Sequence, residues 1–196
     1  FRGGFIDYWN WVLDRNGVFS RADGRYLTDV FTEEAVGFIE RHRARPFFLC
    51  VTYNAPHTPL QAPDEDLRPF LESGRFNRAV STLYGMNRRM DAGIGRILEA
   101  LDAHGLSHDT LVLFTSDNGP MFRGEGEDST ERWNLDLNGH KGLVLEGGIR
   151  VPAIVRWPAG LPAAAQVHGL CHFTDWLPTL LAVAGRRVPV SLALDG

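Results

Sequence analysis

Apolar residues recur at two spacings along this chain, and the two spacings predict helices and strands in alternation. In residues 28–43 and 77–104 the apolar side chains lie three and four positions apart, which is the spacing of one buried helix face. Residues 47–53 and 110–115 are short, nearly continuous apolar runs, as expected for strands covered by helices on both faces. In this order the elements outline a β-α-β unit.

The second half of the chain is less regular. Residues 121–140 are polar and rich in acidic side chains, and they predict a long surface excursion. Residues 151–157 and 166–173 predict two further short strands, and a last helix is predicted from residue 174 to a stop at Gly185. The whole pattern predicts the α/β class, with a mainly parallel or mixed sheet flanked by helices.

Composition narrows the function classes. The chain has 196 residues, of which 44% are hydrophobic, and its net charge of −4 argues against a nucleic-acid binder held by bulk positive charge. No apolar run approaches the roughly 18 to 20 residues that cross a bilayer, so no membrane span is predicted. Cys50 and Cys171 are far apart in apolar stretches, which predicts buried free thiols and neither a disulfide framework nor a zinc site.

Polar side chains follow each of the two clearest strands, where ligands gather in open α/β sheets. Asp117 and Asn118 offer a carboxylate and an amide oxygen side by side, before Gly119 and Pro120 turn the chain. Such oxygens suit calcium or magnesium better than zinc. The same residues are also ordinary turn formers, and taken alone they favour that simpler interpretation.

A histidine and a lysine occupy two other loops. His57 lies between Pro56 and Pro59 in a stiff loop, where it can donate a proton or hold an anion; an ordinary loop histidine is the alternative. Lys141 has glycines nearby on both sides, so an anionic group can approach its backbone and its ammonium; a solvated lysine is the alternative. Because Gly142 follows the lysine, this is not a Walker motif.

The remaining motifs indicate structural roles, and several common catalytic motifs do not occur. Glu146 and Arg150 flank a Gly-Gly turn and predict a structural ion pair in preference to ligand contacts. Gly93 and Gly95 lie within a predicted helix and so form no dinucleotide-binding loop. The signature motifs of α/β-hydrolases, zincins and thioredoxins do not occur in the sequence.

Five strings of this sequence, taken in order, resemble the sulfatase family of the alkaline-phosphatase superfamily. They are Pro-Phe-Phe-Leu leading to Asn-Ala-Pro-His-Thr-Pro-Leu (residues 46–60), Asp-Ala-Gly-Ile-Gly-Arg-Ile-Leu (91–98), Thr-Ser-Asp-Asn-Gly (115–119), Lys-Gly with Glu-Gly-Gly-Ile-Arg-Val-Pro (141–152) and Asp-Trp-Leu-Pro-Thr-Leu-Leu (175–181). Each string is modest alone, but the order and spacing of all five are specific. The resemblance spans roughly residues 1–196, as the middle and later portion of a single catalytic domain.

The resemblance implies an alkaline-phosphatase-like α/β fold, of which this chain is an incomplete part. It also implies an enzyme that hydrolyses an aryl or carbohydrate sulfate ester. It implies that Asp117 and Asn118 ligate the active-site calcium, in preference to magnesium, and that His57 and Lys141 hold the sulfate and assist the departing alcohol oxygen. Attack at sulfur requires the sulfate oxygens to be neutralised and the leaving group to be protonated, so the chemistry agrees. The family also implies export to the periplasm or outside, and it leaves the oligomeric state open.

The sequence lacks two elements of the family's chemistry, the nucleophile and part of the calcium shell. The family's nucleophile is a formylglycine made from Cys or Ser in a Cys/Ser-x-Pro/Ala-x-Arg motif, which these 196 residues do not contain. The upstream acidic pair that completes the calcium shell is also missing. We therefore expect the sequence to begin downstream of both elements, and this chain to be inactive by itself.

Two alternatives remain open at this point. One is a phosphodiester or phosphonate monoester hydrolase of the same superfamily, since similar ligands handle phosphoryl groups. The other is a non-catalytic binding module on the same scaffold. The enzyme hypothesis requires His57, Lys141, Asp117 and Asn118 to converge on one anionic group and its bound metal.

Overall fold

The computed structural model of the chain describes residues 7–189 and 193–195, which form two compact units divided after Leu161. The elements of the first unit are β1 (Val12–Arg15), β2 (Val18–Arg21), α1 (Leu27–His42), α2 (Asp64–Glu72), α3 (Arg78–Ala103), β3 (Val112–Thr115), α4 (Glu146–Ile149) and β4 (Ala153–Arg156), with a 3-10 turn at Gly126–Asp128. In the second unit a 3-10 turn at Phe173–Asp175 leads into α5 (Trp176–Val183). Of the helices in the described ranges, none has the length and apolar character needed to cross a bilayer.

The core of the first unit lies between its helices and the segments that flank them. Both α1 and α2 pack against α3. Met86 of α3 is fully buried in a cluster that includes Tyr8 and Tyr26, whose rings stack with centroids 5.3 Å apart. Ala55 belongs to the same cluster and lies two positions before His57. Core packing therefore anchors one of the loops that carry the candidate residues.

The two long helices match their predicted bounds closely. α1 was predicted over 28–43 and spans Leu27–His42, and α3 was predicted over 77–104 and spans Arg78–Ala103. The Asn77 side chain caps α3 by accepting a 2.9 Å hydrogen bond from the amide of Val80. At the other end Gly105 has φ +67°, the left-handed conformation that glycine adopts most readily. Local capping chemistry therefore determines both ends of this helix.

Gly93 lies inside α3, as predicted, and its role is a close approach between helices. A Cβ at this position would collide with the Thr32 hydroxyl of α1. That hydroxyl also lies 2.8 Å from the hydroxyl of Tyr53, which belongs to the predicted first strand. The small residue thus allows α3, α1 and the segment around Tyr53 to meet at one point.

The predicted strand over residues 47–53 is wrong. This segment forms no strand, although its burial alternates residue by residue, with Phe47 and Tyr53 turned toward α1 and Phe48 73% exposed. A strand needs a hydrogen-bonded neighbour, and none pairs with this segment among the described residues. The segment is therefore extended and covered on one face only, where we predicted cover on both.

The other strand predictions gave mixed results. Residues 110–115 and 151–157 contain β3 and β4, which pair antiparallel with Val112 opposite Arg156 and Thr115 opposite Ala153. The other pair, β1 with β2, is also antiparallel. The parallel pairing of a β-α-β unit is therefore not formed in the part of the chain that the structure describes, because the first strand of the predicted unit has no partner.

Two predictions for the last part of the chain differ in outcome. Residues 166–173 form no strand and are exposed, so the predicted fourth strand is wrong. The last helix is confirmed as α5, and Gly185 after it has φ +66°. Before this helix the His172 amide donates to the Asp175 carboxylate at 2.6 Å in a reciprocal cap.

Cys50 and Cys171 are both free thiols and both exposed, so the prediction of buried thiols is wrong. Cys50 lies on the outer face of the extended segment over residues 47–53. Cys171 lies in the exposed stretch over residues 166–173. Apolar neighbours along the sequence did not bury either side chain, because no other segment of the described chain covers them.

Candidate functional site

The loop after β3 presents Asp117 and Asn118 with their oxygens free of other protein groups. The Ser116 hydroxyl donates to the carbonyl of Asn118 at 3.0 Å, and the Asn118 amide nitrogen donates to the carbonyl of Gly119 at 2.9 Å. Within the described ranges no hydrogen bond reaches the Asp117 carboxylate or Asn118 Oδ1. The side-chain amide is thus oriented by its nitrogen, and its oxygen remains available as a ligand.

Three glycines allow this loop to contact the segment around α4. The Gly119 amide donates to the carbonyl of Gly148 at 2.9 Å, and a Cβ on Gly119 would collide with the carbonyl of Gly147. The Gly147 amide in turn donates to the carbonyl of Asn138 at 2.7 Å. Gly119 does not have a positive φ, so its backbone conformation does not require glycine. Glycine is needed here because the neighbouring backbone leaves no room for a side chain.

The same contact region includes Lys141. Its amide donates to the carbonyl of Pro120 at 2.8 Å, three positions after Asp117. Gly139 and Gly142 on either side have φ values of +85° and +93°. The sequence suggested that an anion approaches both the backbone and the ammonium of Lys141. Because Pro120 already accepts the amide proton, the ammonium is the group left for an anion.

The predicted ion pair between Glu146 and Arg150 is confirmed. The carboxylate and the guanidinium lie 3.3 Å apart across the single turn of α4. Both side chains are more than half exposed, at 60% and 69%, and an exposed pair of this kind contributes about 0–1 kcal/mol. The pair helps to hold the short helix whose glycines contact Gly119.

His57 is held by its own loop and by the core. Its amide donates to the carbonyl of Asn54 at 2.8 Å, and its carbonyl accepts from the buried Tyr8 hydroxyl at 2.9 Å. Nδ1 lies 2.9 Å from the carbonyl of Thr58, which can only accept, so Nδ1 carries a proton. Nε2 is then the nitrogen that remains for chemistry.

The structure joins the loops that carry three of the four predicted residues, Asp117, Asn118 and Lys141. Backbone hydrogen bonds place the Asp117 and Asn118 loop against the Lys141 loop. No hydrogen bond or ion pair within residues 7–189 and 193–195 joins His57 to any of the other three. Its convergence with them stays a prediction.

The donor set fits calcium in kind and supplies part of a shell. Calcium takes about six to eight oxygen ligands, and a carboxylate beside an amide oxygen is a suitable start. Within the described residues, no group of three or more His, Cys, Asp or Glu side chains is placed to hold an ion. Asp117 and Asn118 alone would supply only two side-chain oxygen donors, and further ligands would have to come from outside this set.

Sequence reasoning missed the residue that organises the excursion over residues 121–140. The Asn77 side-chain nitrogen donates to the carbonyls of Gly126 and Ser129 at 3.0 and 2.8 Å, while its oxygen caps α3. Thr130 is buried, and its hydroxyl donates to the carbonyl of Met121 at 2.9 Å. The cap was readable from the sequence, but nothing local signals the second set of bonds.

Comparison with known proteins gives consistent matches. The family model described as Sulfatase matches residues 3–186. Arylsulfatase H of Canis lupus familiaris is 36% identical over 198 residues, which is 98% of this chain and 34% of that protein. N-acetylgalactosamine-6-sulfatase of the same species is 37% identical over 175 residues, 87% of this chain and 31% of that protein. The chain spans about a third of the length of the curated relatives it matches.

Solved structures match as well. The crystal structure of Ps i-CgsB superposes with a TM-score of 0.80 at 36% identity, covering 91% of this chain and 39% of that one. The PsFucS1 sulfatase of Pseudoalteromonas sp. gives a TM-score of 0.59 at 24% identity, over 90% of this chain and 35% of its own, which bears on the fold alone. The predicted α/β fold of the alkaline-phosphatase type is thereby confirmed, and this chain forms part of it.

Proposed function

This chain belongs to the sulfatase family, and we propose that the protein containing it hydrolyses an aryl or carbohydrate sulfate ester at the site around Asp117, Asn118, Lys141 and His57. In this proposal residues 1–196 are the middle and later portion of a single catalytic domain. The named relatives include arylsulfatases and an N-acetylgalactosamine-6-sulfatase, and the Ps i-CgsB structure was also determined in complex with k-i-k-neocarrahexaose. These names support an ester of either an aryl alcohol or a sugar.

One observation carries the proposal. The loop of Asp117 and Asn118 and the loop of Lys141 are joined through Gly119 with Gly148 and through Pro120 with Lys141, by hydrogen bonds of 2.9 and 2.8 Å. Two oxygen ligands and a cationic side chain therefore lie on neighbouring loops. A site for a sulfate group needs this combination, because several negatively charged oxygens must be neutralised at once.

The described residues have distinct tasks in this mechanism. The Lys141 ammonium binds a sulfate oxygen and stabilises the charge that develops as the ester bond breaks. In its imidazolium form, with the Nδ1 proton directed to the Thr58 carbonyl, His57 donates its second proton from Nε2 to the departing alcohol oxygen and becomes neutral. A calcium ion bound through Asp117 and Asn118 would add electrostatic stabilisation of the sulfate oxygens.

The nucleophile is not among these residues. Neither cysteine nor any serine of the chain has the Cys/Ser-x-Pro/Ala-x-Arg context. We propose that a segment outside this chain would hold the family's formylglycine, whose hydrated form would supply the nucleophilic hydroxyl, and would complete the calcium shell. The 196-residue chain by itself is then expected to be inactive.

The test uses the product of the full reading frame that contains this chain. Its rates on 4-nitrophenyl sulfate and on bis(4-nitrophenyl) phosphate are compared, with and without a calcium chelator. We expect faster hydrolysis of the sulfate ester and loss of the rate on chelation. A faster rate on the phosphodiester would favour the phosphodiesterase alternative. Calcium binding without turnover of either ester, or a full reading frame without the nucleophile motif, would contradict the enzyme proposal.

A further inference from the structure

A cleft of about 400 Å³ lies between the first turn of α3 and the excursion. Arg78 and Thr82 line it from the helix, and Arg123 and Asp128 line it from the excursion. Leu60, three positions after His57, lines it from a third side. We call this space the arginine cleft.

The two arginines of this cleft form no ion pair with any described residue. A second cleft, of about 490 Å³, is lined by Arg25 and Arg89, and its arginines are ion-paired. There Arg25 pairs with Asp23 and Glu33 at 2.6 Å, and Arg89 pairs with Asp29 at 2.8 Å. The guanidinium groups of the second cleft are neutralised by the protein itself, whereas those of the arginine cleft are available to a ligand.

The backbone that carries the two arginines is fixed on both sides of the cleft. The Arg78 amide donates to the Glu127 carboxylate at 3.0 Å. The Arg123 amide donates to the hydroxyl of the buried Thr130 at 2.9 Å, and its carbonyl accepts from the Thr130 amide at 2.8 Å. Asn77 links the two sides through its bonds to the excursion. The arginine cleft is therefore a built feature of the fold.

The chain also connects the arginine cleft to the proposed site. Leu60 continues the loop of His57, and the excursion begins directly after the turn that follows Asp117 and Asn118. The two segments that carry His57 and Asp117 therefore both continue into the lining of the arginine cleft. This continuity makes the cleft a candidate for the part of the substrate beyond the ester that is cleaved.

We propose that the arginine cleft binds a second anionic group, a sulfate or carboxylate, on a sugar next to the one whose ester is cleaved. This inference rests on the proposed function and narrows its substrate class to polyanionic saccharides. A planar guanidinium binds such oxyanions through paired hydrogen bonds. The Asp128 carboxylate accepts hydrogen bonds from sugar hydroxyls, and it weakens the attraction for a small free anion. The lining therefore suits a charged saccharide better than an isolated ion.

The test uses the full reading-frame product with the substitutions Arg78→Gln and Arg123→Gln, singly and together. Two substrates are compared: 4-nitrophenyl sulfate, which carries one anionic group, and a disulfated disaccharide. We expect the double variant to lose at least tenfold in kcat/KM on the disaccharide and less than twofold on the aryl ester. Arg68→Gln removes the same charge from an exposed position of α2 outside the cleft and should change neither value.

A binding measurement on the full 196-residue chain separates this inference from the proposed function. Titration calorimetry with the disulfated disaccharide should show binding that the double variant weakens at least tenfold, with inorganic sulfate bound far more weakly. Equal loss of kcat/KM on both substrates, unchanged disaccharide binding in the double variant, or equally tight binding of inorganic sulfate would overturn the inference. A full-length protein that hydrolyses no sulfate ester would refute the proposed function, while the calorimetry would still report on the cleft.

Discussion

The amide of Gly119 donates a hydrogen bond to the carbonyl of Gly148 across 2.9 Å, and this bond joins the loop of Asp117 and Asn118 to the segment around α4. The two backbones approach so closely that a Cβ on Gly119 would collide with the carbonyl of Gly147. A single hydrogen atom in place of a side chain thus sets the position of both proposed calcium ligands relative to Lys141.

Gly119→Ala should therefore separate the two loops. We expect a loss of about 1–3 kcal/mol in the free energy of unfolding, because the extra methyl group must displace backbone. Activity of the full reading-frame product should fall about 100-fold, since a shift of about 1 Å in a catalytic group has an effect of that size. Denaturant titration and kcat/KM on 4-nitrophenyl sulfate measure the two effects.

Gly95→Ala is the matched control. Gly95 lies inside α3 with open space where its Cβ would stand. Alanine there should stabilise the helix by about 0.5–1 kcal/mol and leave kcat/KM unchanged. If both substitutions have the same effect on activity, the close contact at Gly119 does not position the site.

His57→Gln tests the proton donor. General acid catalysis contributes about 100-fold to 10,000-fold, and most when the leaving alcohol is a poor one. The variant should therefore lose far more rate on an alkyl or sugar sulfate than on 4-nitrophenyl sulfate. His108→Gln, which changes an exposed histidine paired with Asp109, should lose no rate on either ester. A loss at His57 that is the same for all leaving groups would indicate a binding role and no proton transfer.

Asp117→Asn tests the cation site. Replacing a carboxylate by an amide removes a full negative charge from the donor set, so the affinity for calcium should fall. In the full reading-frame product the calcium concentration for half-maximal activity should rise at least tenfold. Asp109→Asn removes the same charge before β3, from an exposed carboxylate that contacts the His108 ring, and should leave the calcium dependence unchanged. An Asp117→Asn protein with wild-type calcium dependence would exclude this carboxylate as a ligand.

The sequence was informative where structure depends on local chemistry. Asn77 and Gly105 bound α3 through capping interactions that form within a few residues, and both ends were predicted correctly. The segment over residues 47–53 has the composition of a strand, but pairing depends on a distant backbone, which composition does not reveal.

The candidate site also combines features that local sequence predicts with features that depend on distant residues. Gly119 was predicted to form a turn, yet its role is to make room for Gly147, which follows it by 28 positions. The ion pair of Glu146 and Arg150 was predicted because the two residues flank a Gly-Gly turn only four positions apart. The arginine cleft escaped prediction because Arg78 and Arg123 are distant in sequence and belong to no motif.

Asn77 has two roles that substitutions can separate. Asn77→Ala removes the cap of α3 and both bonds to the excursion, and it should cost about 1–3 kcal/mol. Asn77→Ser retains a capping oxygen but lacks the amide donors, so it should recover about 1 kcal/mol of this loss. In limited trypsin digestion, both variants should be cut at Arg123 faster than the unsubstituted chain. A serine variant as resistant as the unsubstituted chain would show that the bonds to Gly126 and Ser129 do not hold the excursion.

The last prediction concerns stability at high pH. Burial raises the pKa of Tyr8 and of Tyr26 well above the usual value near 10, and each hydroxyl donates a hydrogen bond, to the carbonyl of His57 or of Gln61. Above pH 10 the unfolded chain releases tyrosine protons that the folded chain keeps. The free energy of unfolding should therefore fall as pH rises past 10, by about 1.4 kcal/mol per pH unit for each buried tyrosine.

Tyr26→Phe should cost about 0.5–1.5 kcal/mol at neutral pH through its lost hydrogen bond, and should reduce the slope above pH 10 by one tyrosine's share. Urea titrations followed by tryptophan fluorescence between pH 8 and pH 11 measure both quantities, and equal slopes for the two proteins would show that Tyr26 does not keep its proton in the folded state.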